Sequence, residues 1–320
     1  MEQKNNKELR EKLFYKQHNG TKTLKADVIA AGDRYCEGYK QFLNSAKTER
    51  EAVSVAVAMA EKQGFVPFDA SKTYAAGDKV YLNNRGKALI LAVIGTRPIT
   101  DGVTLAVAHV DAPRLDLKQN PLYEDNDLAY FDTHYYGGIK KYQWTAIPLA
   151  LHGVVVRRDG TSVQINIGEG ADDPVFCISD LLIHLSAEQM SKKASEVITG
   201  EGLDIILCGQ PLKDEEKEPV KAALLQILKE KYDIEEEDML SAEIEAVPAG
   251  PARDFGLDRS MILGYGHDDR VCAYAALEAI LSLTEPPAYT CCCLLADKEE
   301  IGSVGATGMQ AHYFENAMAE

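Results

Sequence analysis

Two adjacent glutamates, Glu299 and Glu300, close an apolar run from Tyr289 to Ala296, with Asp297 and Lys298 in between. Carboxylates at the end of a buried strand are costly unless something there favours negative charge. A divalent metal with an activated water supplies that need. One glutamate can then ligate the metal while its neighbour takes the proton from the water. A solvated acidic turn after a strand would use the same letters, so two further segments bear on the choice. In Ala106-Val107-Ala108-His109-Val110-Asp111-Ala112-Pro113, an apolar strand carries a histidine and, two residues on, an aspartate. Period-two alternation points both side chains the same way. A metal-bound imidazole normally donates its other N–H to a carboxylate, which fixes the tautomer. His109 as ligand and Asp111 as its orienter fit that arrangement, and so does a core histidine satisfied by a nearby aspartate. In Gly264-Tyr265-Gly266-His267-Asp268-Asp269-Arg270, a glycine-rich turn leads into a helical stretch from Val271 to Leu283. Carboxylates are favoured at a helix amino end, so Asp268 reads either as a plain cap or as a metal-bridging group supported by Asp269 and Arg270.

The elements that must position these groups alternate in type. Residues 26–45 and 48–63 read as helices, the second with Thr48 and Glu51 at capping-box spacing. Its stripe is Ala52, Val55, Ala56, Met59 and Ala60. Lys79–Leu82, Ala88–Gly95 and Val103–Val110 read as strands. Gln119 to Tyr142, rich in aromatics and turn residues, reads as loop and short hairpins. Gly153–Arg157 and Ser162–Ile167 flank Arg158-Asp159-Gly160, a tight-turn hairpin signal. Helices are expected over about 178–192, placing His184 on an amphipathic face, and over Val220–Tyr232 between charge runs. Ala242–Val247 reads as a strand, Pro248–Arg253 as a linker, and Gln310–Glu320 as a helical tail. The expected fold class is α/β: a layered catalytic domain with a central mixed sheet flanked by helices, interrupted by an inserted β-rich α+β domain. The outer domain spans 1–118 and 258–320, and the insertion spans 119–257. His109 precedes the insertion and Asp268, Glu299 and Glu300 follow it, at the carboxyl ends of strands where open α/β sheets place ligands.

Composition sets limits. The chain has 320 residues, 46% of them apolar, and a net charge of −16. That balance argues against nucleic acid and against anionic membrane surfaces as partners. The amino end shows no secretory signal, and no apolar run approaches the ~20 residues of a membrane span. Seven cysteines fit no disulfide or zinc framework. Three of them, Cys291-Cys292-Cys293, sit in an apolar strand as small hydrophobes. A reducing cytoplasm is the expected location.

Together AHVDAPRLDLK at 108–118, YYGGIKKYQW at 135–144, GHDDRVCAYAAL at 266–277 and DKEEIGSVGATGMQ at 297–310 resemble the aspartyl aminopeptidase and aminopeptidase I family of dinuclear zinc metallopeptidases. The resemblance covers nearly the whole chain. It implies His109 and Glu300 as metal ligands, Asp268 as the bridge between two zinc ions, Glu299 as general base and Asp111 as the orienter of His109. His184 matches a family histidine that crosses a dimer contact to a neighbour's substrate. The substrates implied are peptides with a free amino terminus, and the family name implies acidic terminal residues. The assembly implied is a homo-oligomer built on dimers. Mixed histidine and carboxylate ligands would also accept manganese or cobalt. Family members continue beyond the position of Glu320 and supply another aspartate and a final histidine ligand there, so the resemblance implies a carboxyl-terminally incomplete chain. Two other functions stay open from the residues: a dinuclear deacylase, and a catalytically silent member serving as an oligomeric shell or interaction protein.

Overall fold

The computed structural model describes residues 2–320, as one unit up to Tyr39 and another from Lys40 onward. The first unit holds α1 (Glu2–Leu13), a 3-10 turn whose cap Asn19 accepts from the Thr21 N–H, and the start of α2 (Ala26–Ser45). In the second unit come α3 (Glu49–Lys62), β1 (Val66–Pro67), β2 (Lys79–Asn84), β3 (Ala88–Val93) and β4 (Val103–His109). They are followed by β5 (Arg114–Asp125), β6 (Leu128–Tyr136), β7 (Leu149–Val156), β8 (Ser162–Ile167), α4 (Ala187–Met190), β9 (Ile205–Cys208), α5 (Pro219–Tyr232) and β10 (Glu243–Pro248). The last elements are β11 (Arg253–Phe255), β12 (Met261–Leu263), α6 (His267–Leu281), β13 (Thr290–Ala296) and α7 (Tyr313–Ala319).

Five strands form a mixed sheet in the order β1-β2-β3-β13-β4. β13 lies at its heart, antiparallel to β3 and parallel to β4. Continuous apolar side chains explain this: Leu89, Leu91, Cys293, Leu294 and Leu295 are fully buried, as strands covered on both faces require. α3 and α6 pack on the sheet. α3 starts with the expected capping box, Thr48 accepting from the Glu51 N–H and Glu51 accepting from the Thr48 N–H. It buries the small side chains Ala52, Val53, Ala56 and Ala60, which lets the helix lie close to its neighbours. This is the expected α/β arrangement of a mixed sheet with helices on its flanks.

The strands between Arg114 and Pro248 form a second, antiparallel sheet of six, ordered β8-β7-β10-β5-β6-β9. Its core joins Leu115, Phe131, Leu149, Leu151 and Ile244 to Val220 and Leu224 of α5. Two sequence expectations fail here. The stretch from Gln119 to Tyr142 is not loop and short hairpins: β5 and β6 make one long hairpin. Asn126 and Asp127, with φ of 49° and 61°, form its turn. A register shift between Leu117 and Leu122 takes up Pro121, which cannot donate to a regular ladder. The helix expected over 178–192 shrinks to α4. Its apolar residues have helical spacing but no core beneath them, and Leu181, Leu182, Ile183 and Leu185 are all exposed. Among the described residues no helix is long and apolar enough to cross a membrane.

Candidate metal centre

The in-register parallel pairing of β4 with β13 sets His109 opposite Ala296. Both strands stop there, so His109 and the turn holding Glu299 and Glu300 project from the same edge of the sheet. The backbone enters that turn through Lys298 and leaves through Gly302, both left-handed with φ of 65° and 89°. Glycine takes that conformation without steric cost. The third segment comes from α6. Gly266 has φ +80°, and a Cβ there would collide with the Arg270 guanidinium. Arg270 is buried and donates to the Lys47 carbonyl. Asp268 and Asp269, joined by a cis peptide, depart from helical dihedrals and turn out of α6. The Tyr265 hydroxyl donates to the Pro113 carbonyl at 2.9 Å, tying this segment to the chain just past His109.

One ligand atom each from His109, Glu299 and Glu300 lie within 4.8 Å of one another. Asp268 Oδ1 approaches to 3.3 Å of His109 Nε2, and Glu299 Oε2 to 3.6 Å. On its other side His109 Nδ1 lies 3.0 Å from the Asp111 carbonyl oxygen and 3.2 Å from Asp111 Oδ1. Both are acceptors, so Nδ1 carries a proton and Nε2 faces the carboxylates. Asp111 is fully buried and accepts from the Tyr136 hydroxyl at 2.7 Å and from the Glu299 and Glu300 N–H groups at 3.2 Å. Gly137 completes the support. A Cβ at this glycine, φ +74°, would stand 3.1 Å from Glu300 Cβ and 3.2 Å from its Oε2.

The electrostatics follow from crowding. Burial opposes charge on His109, but the hydrogen bond and charge of Asp111, with the charge of Glu299, prevail and push its pKa up to about 9. Burial also raises Glu300, and the charges of Asp111, Asp268 and Glu299 add to it against His109. For Asp111 burial is outweighed by the bonds from His109, Tyr136 and the Glu300 N–H, so its carboxyl stays below the usual range. One imidazole nitrogen and converging carboxylates that crowd each other are a donor set that suits zinc, manganese or cobalt. Asp268 and Glu299, with side chains 86% and 59% exposed, open the site to solvent. Beside it a pocket of about 440 Å³ is lined by Ala112, Pro113, Gly138, Lys140, Trp144 and Asp268, among others.

Residues 42–320 match the family described as "Aminopeptidase I zinc metalloprotease (M18)". The chain belongs to the M18 family. A "Probable M18 family aminopeptidase 1" of Clostridium acetobutylicum is 55% identical over 299 residues, which cover 92% of this chain and 63% of that protein. One of Borrelia garinii is 49% identical over 282 residues, 88% of this chain and 62% of its own length. The chain thus spans somewhat under two thirds of the curated relatives it matches. An M18 aminopeptidase structure from Thermotoga maritima superposes with a TM-score of 0.90 at 45% identity, covering 95% of this chain and 66% of that one. A structure titled as the dodecamer of yeast mApe1, at 20% identity, shares the fold with a TM-score of 0.68.

Four sequence-predicted residues, His109, Asp111, Glu299 and Glu300, meet directly, and Asp268 joins them through His109. His184 lies outside this group, exposed in a turn closed by the Leu185 N–H on the Leu182 carbonyl. Sequence reasoning missed Tyr136 and Gly137. They stand in the quoted YYGG segment, but nothing in the letters says which tyrosine turns inward.

Proposed function

We propose that this protein is a metal-dependent aminopeptidase that removes amino-terminal residues from peptides. The observation that carries the reading is the meeting of His109, Glu299 and Glu300 atoms within 4.8 Å at the ends of two parallel strands. His109, Glu300 and Asp268 would hold metal, two zinc ions by the family resemblance. Bound metal supplies an acidified water and polarises a carbonyl. Glu299, the most exposed member of the three-residue cluster, takes the proton from the attacking water and passes it to the leaving amine. Asp111 holds the His109 proton on Nδ1, so that Nε2 is available as a ligand. The neighbouring pocket, apolar at Pro113 and Trp144 and cationic at Lys140, suits a side chain or carboxylate of the peptide.

We also propose a homo-oligomer built on dimers, located in the cytoplasm. The inserted region, 119–257, would be its dimerisation and access domain. The exposed run of Leu181, Leu182, Ile183 and Leu185 supports a contact there, with His184 at its centre reaching a partner's substrate. Free cysteines fit a reducing compartment.

The experiment is to measure bound zinc and the release of terminal residues from peptides with free and with acetylated amino ends. Zinc-dependent release that demands the free amine is expected. Release of acetate from the acetylated peptides would make the protein a deacylase. Neither zinc nor hydrolysis in the assembled protein would overturn the enzymatic reading in favour of a silent structural role.

A further inference from the structure

Asp111 is where three stretches of chain meet. Its buried carboxylate takes His109 Nδ1 and the Glu299 N–H on Oδ1, each at 3.2 Å, and the Glu300 N–H on Oδ2, also at 3.2 Å. The shortest bond is from the Tyr136 hydroxyl, 2.7 Å to Oδ2. Tyr136 ends β6 and stands across the ladder from Arg114, the first residue of β5. The Arg114 guanidinium lies 3.7 Å from the centre of the Tyr136 ring. Arg114 cannot wander, because Asp116 binds its Nε at 2.8 Å and Glu49 and Glu245 flank its terminal nitrogens at 3.3 Å. A cation on a ring face is attracted by the ring quadrupole, and it draws electron density from the phenol, which strengthens the hydroxyl as a donor to a carboxylate.

Without that hydroxyl, Oδ2 keeps a single long bond to the Glu300 N–H, and the carboxylate loses its shortest restraint against turning about its Cβ–Cγ bond. A turn of that kind loosens the His109 ring and the Glu299–Glu300 backbone together, because both hang on the same two oxygens. We infer that Tyr136, clamped by Arg114, is a positioning residue of the metal centre. It holds the Asp111 carboxylate in the orientation that serves His109 and the glutamate turn at once. Tyr136 is buried and acts through Asp111. The inference rests on the metal-centre reading above.

Tyr136→Phe tests it, since the ring stays under Arg114 and only the hydroxyl goes. Zinc affinity, measured by competition with a chromophoric chelator, is expected to fall about 10- to 100-fold, the range typical for loss of a group that orients a ligand. In the metal-free protein, long-range proton–nitrogen spectra of the His109 ring are expected to shift as the Nδ1 bond to Asp111 loosens. Tyr135→Phe, whose ring stacks on His134 at 5.4 Å, should change neither. Zinc binding by the parent protein with unchanged affinity and unchanged His109 signals in Tyr136→Phe would overturn the inference and leave the metal centre standing. Shifted His109 signals in a protein that binds no zinc would leave the positioning intact and sink the metal reading instead.

Discussion

Replacing Gly137 by alanine should damage the metal centre without touching any ligand atom. Gly137 has φ +74°, and left-handed backbone costs a residue with a Cβ roughly 1–2 kcal/mol. The new methyl would also stand 3.1 Å from Glu300 Cβ and 3.2 Å from Glu300 Oε2. The carboxylate oxygen can rotate away, but the Cβ moves only if the Glu299–Glu300 backbone moves, and that backbone hangs on Asp111. The expected stability loss is therefore about 1–2 kcal/mol, a fall of roughly 1.5–3 °C in melting temperature for a chain of this size. A carboxylate displaced from its place among His109 and Glu299 should lower zinc affinity by about tenfold or more. Gly138 is the control: a Cβ there meets nothing within 4 Å, so Gly138→Ala should stay within about 0.5 kcal/mol of the parent. Melting curves and zinc competition on both variants decide the matter. If Gly137→Ala matches Gly138→Ala in both measurements, Glu300 does not depend on this contact and the reasoning is wrong.

Other substitutions probe the rest. Glu299→Gln should lower peptidase turnover by about 10²–10⁴-fold with zinc content nearly intact; loss of zinc along with activity would mean that Glu299 is a ligand. Inactive His184→Ala chains mixed with inactive Glu299→Gln chains should regain partial activity, and no recovery in verified mixed assemblies would exclude action across a dimer. Arg114→Met would take the guanidinium partner from the nearly buried Glu245 and leave the fully buried Glu49 to Lys87 alone, and should cost about 3–5 kcal/mol in denaturant unfolding; a loss under 1 kcal/mol would refute that. Burial opposes charge on His152, but bonds to Glu169 and Glu51 outweigh it and raise its pKa from 6.5. Protonated His152 thus stabilises the fold fully below pH 6.5, and this contribution fades as pH rises through the raised value. The melting temperature of His152→Gln should accordingly converge on the parent's as pH climbs through that window, and a constant gap would contradict the assignment.

The letters disclosed most of the mixed sheet. β2, β3, β4 and β13 are dense apolar runs of strand length, and α3 announces itself by the Thr48–Glu51 box. His109, Asp111 and the glutamate pair were legible because each stands at the end of such a run. What failed depended on partners remote in sequence. β5 hides behind Pro121, which reads as a break until the register shift absorbs it. The stretch at 181–190 has helical spacing without a core to receive it. Tyr136 was invisible because its meaning comes from Arg114 across the ladder and Asp111 beyond, a relation that no spacing encodes. The β11–β12 hairpin, with Leu257 fully exposed, drew no strand reading because its strands are three residues each.

The place of β13 between β3 and β4 has a consequence for how the molecule comes into being. β3 and β4 are early in the chain, and the strand that joins them arrives only after the whole six-stranded sheet has been made. Until then β3 carries an open edge and β4 has no partner strand, the kind of template on which stray chains pair. Closing so long a loop costs entropy that is repaid only when the strand docks, and such non-local pairing is the kind that slows folding. That same docking carries Glu299 and Glu300 to His109. On the metal-centre proposal, a growing chain would have no site to fill until its central strand has slid home.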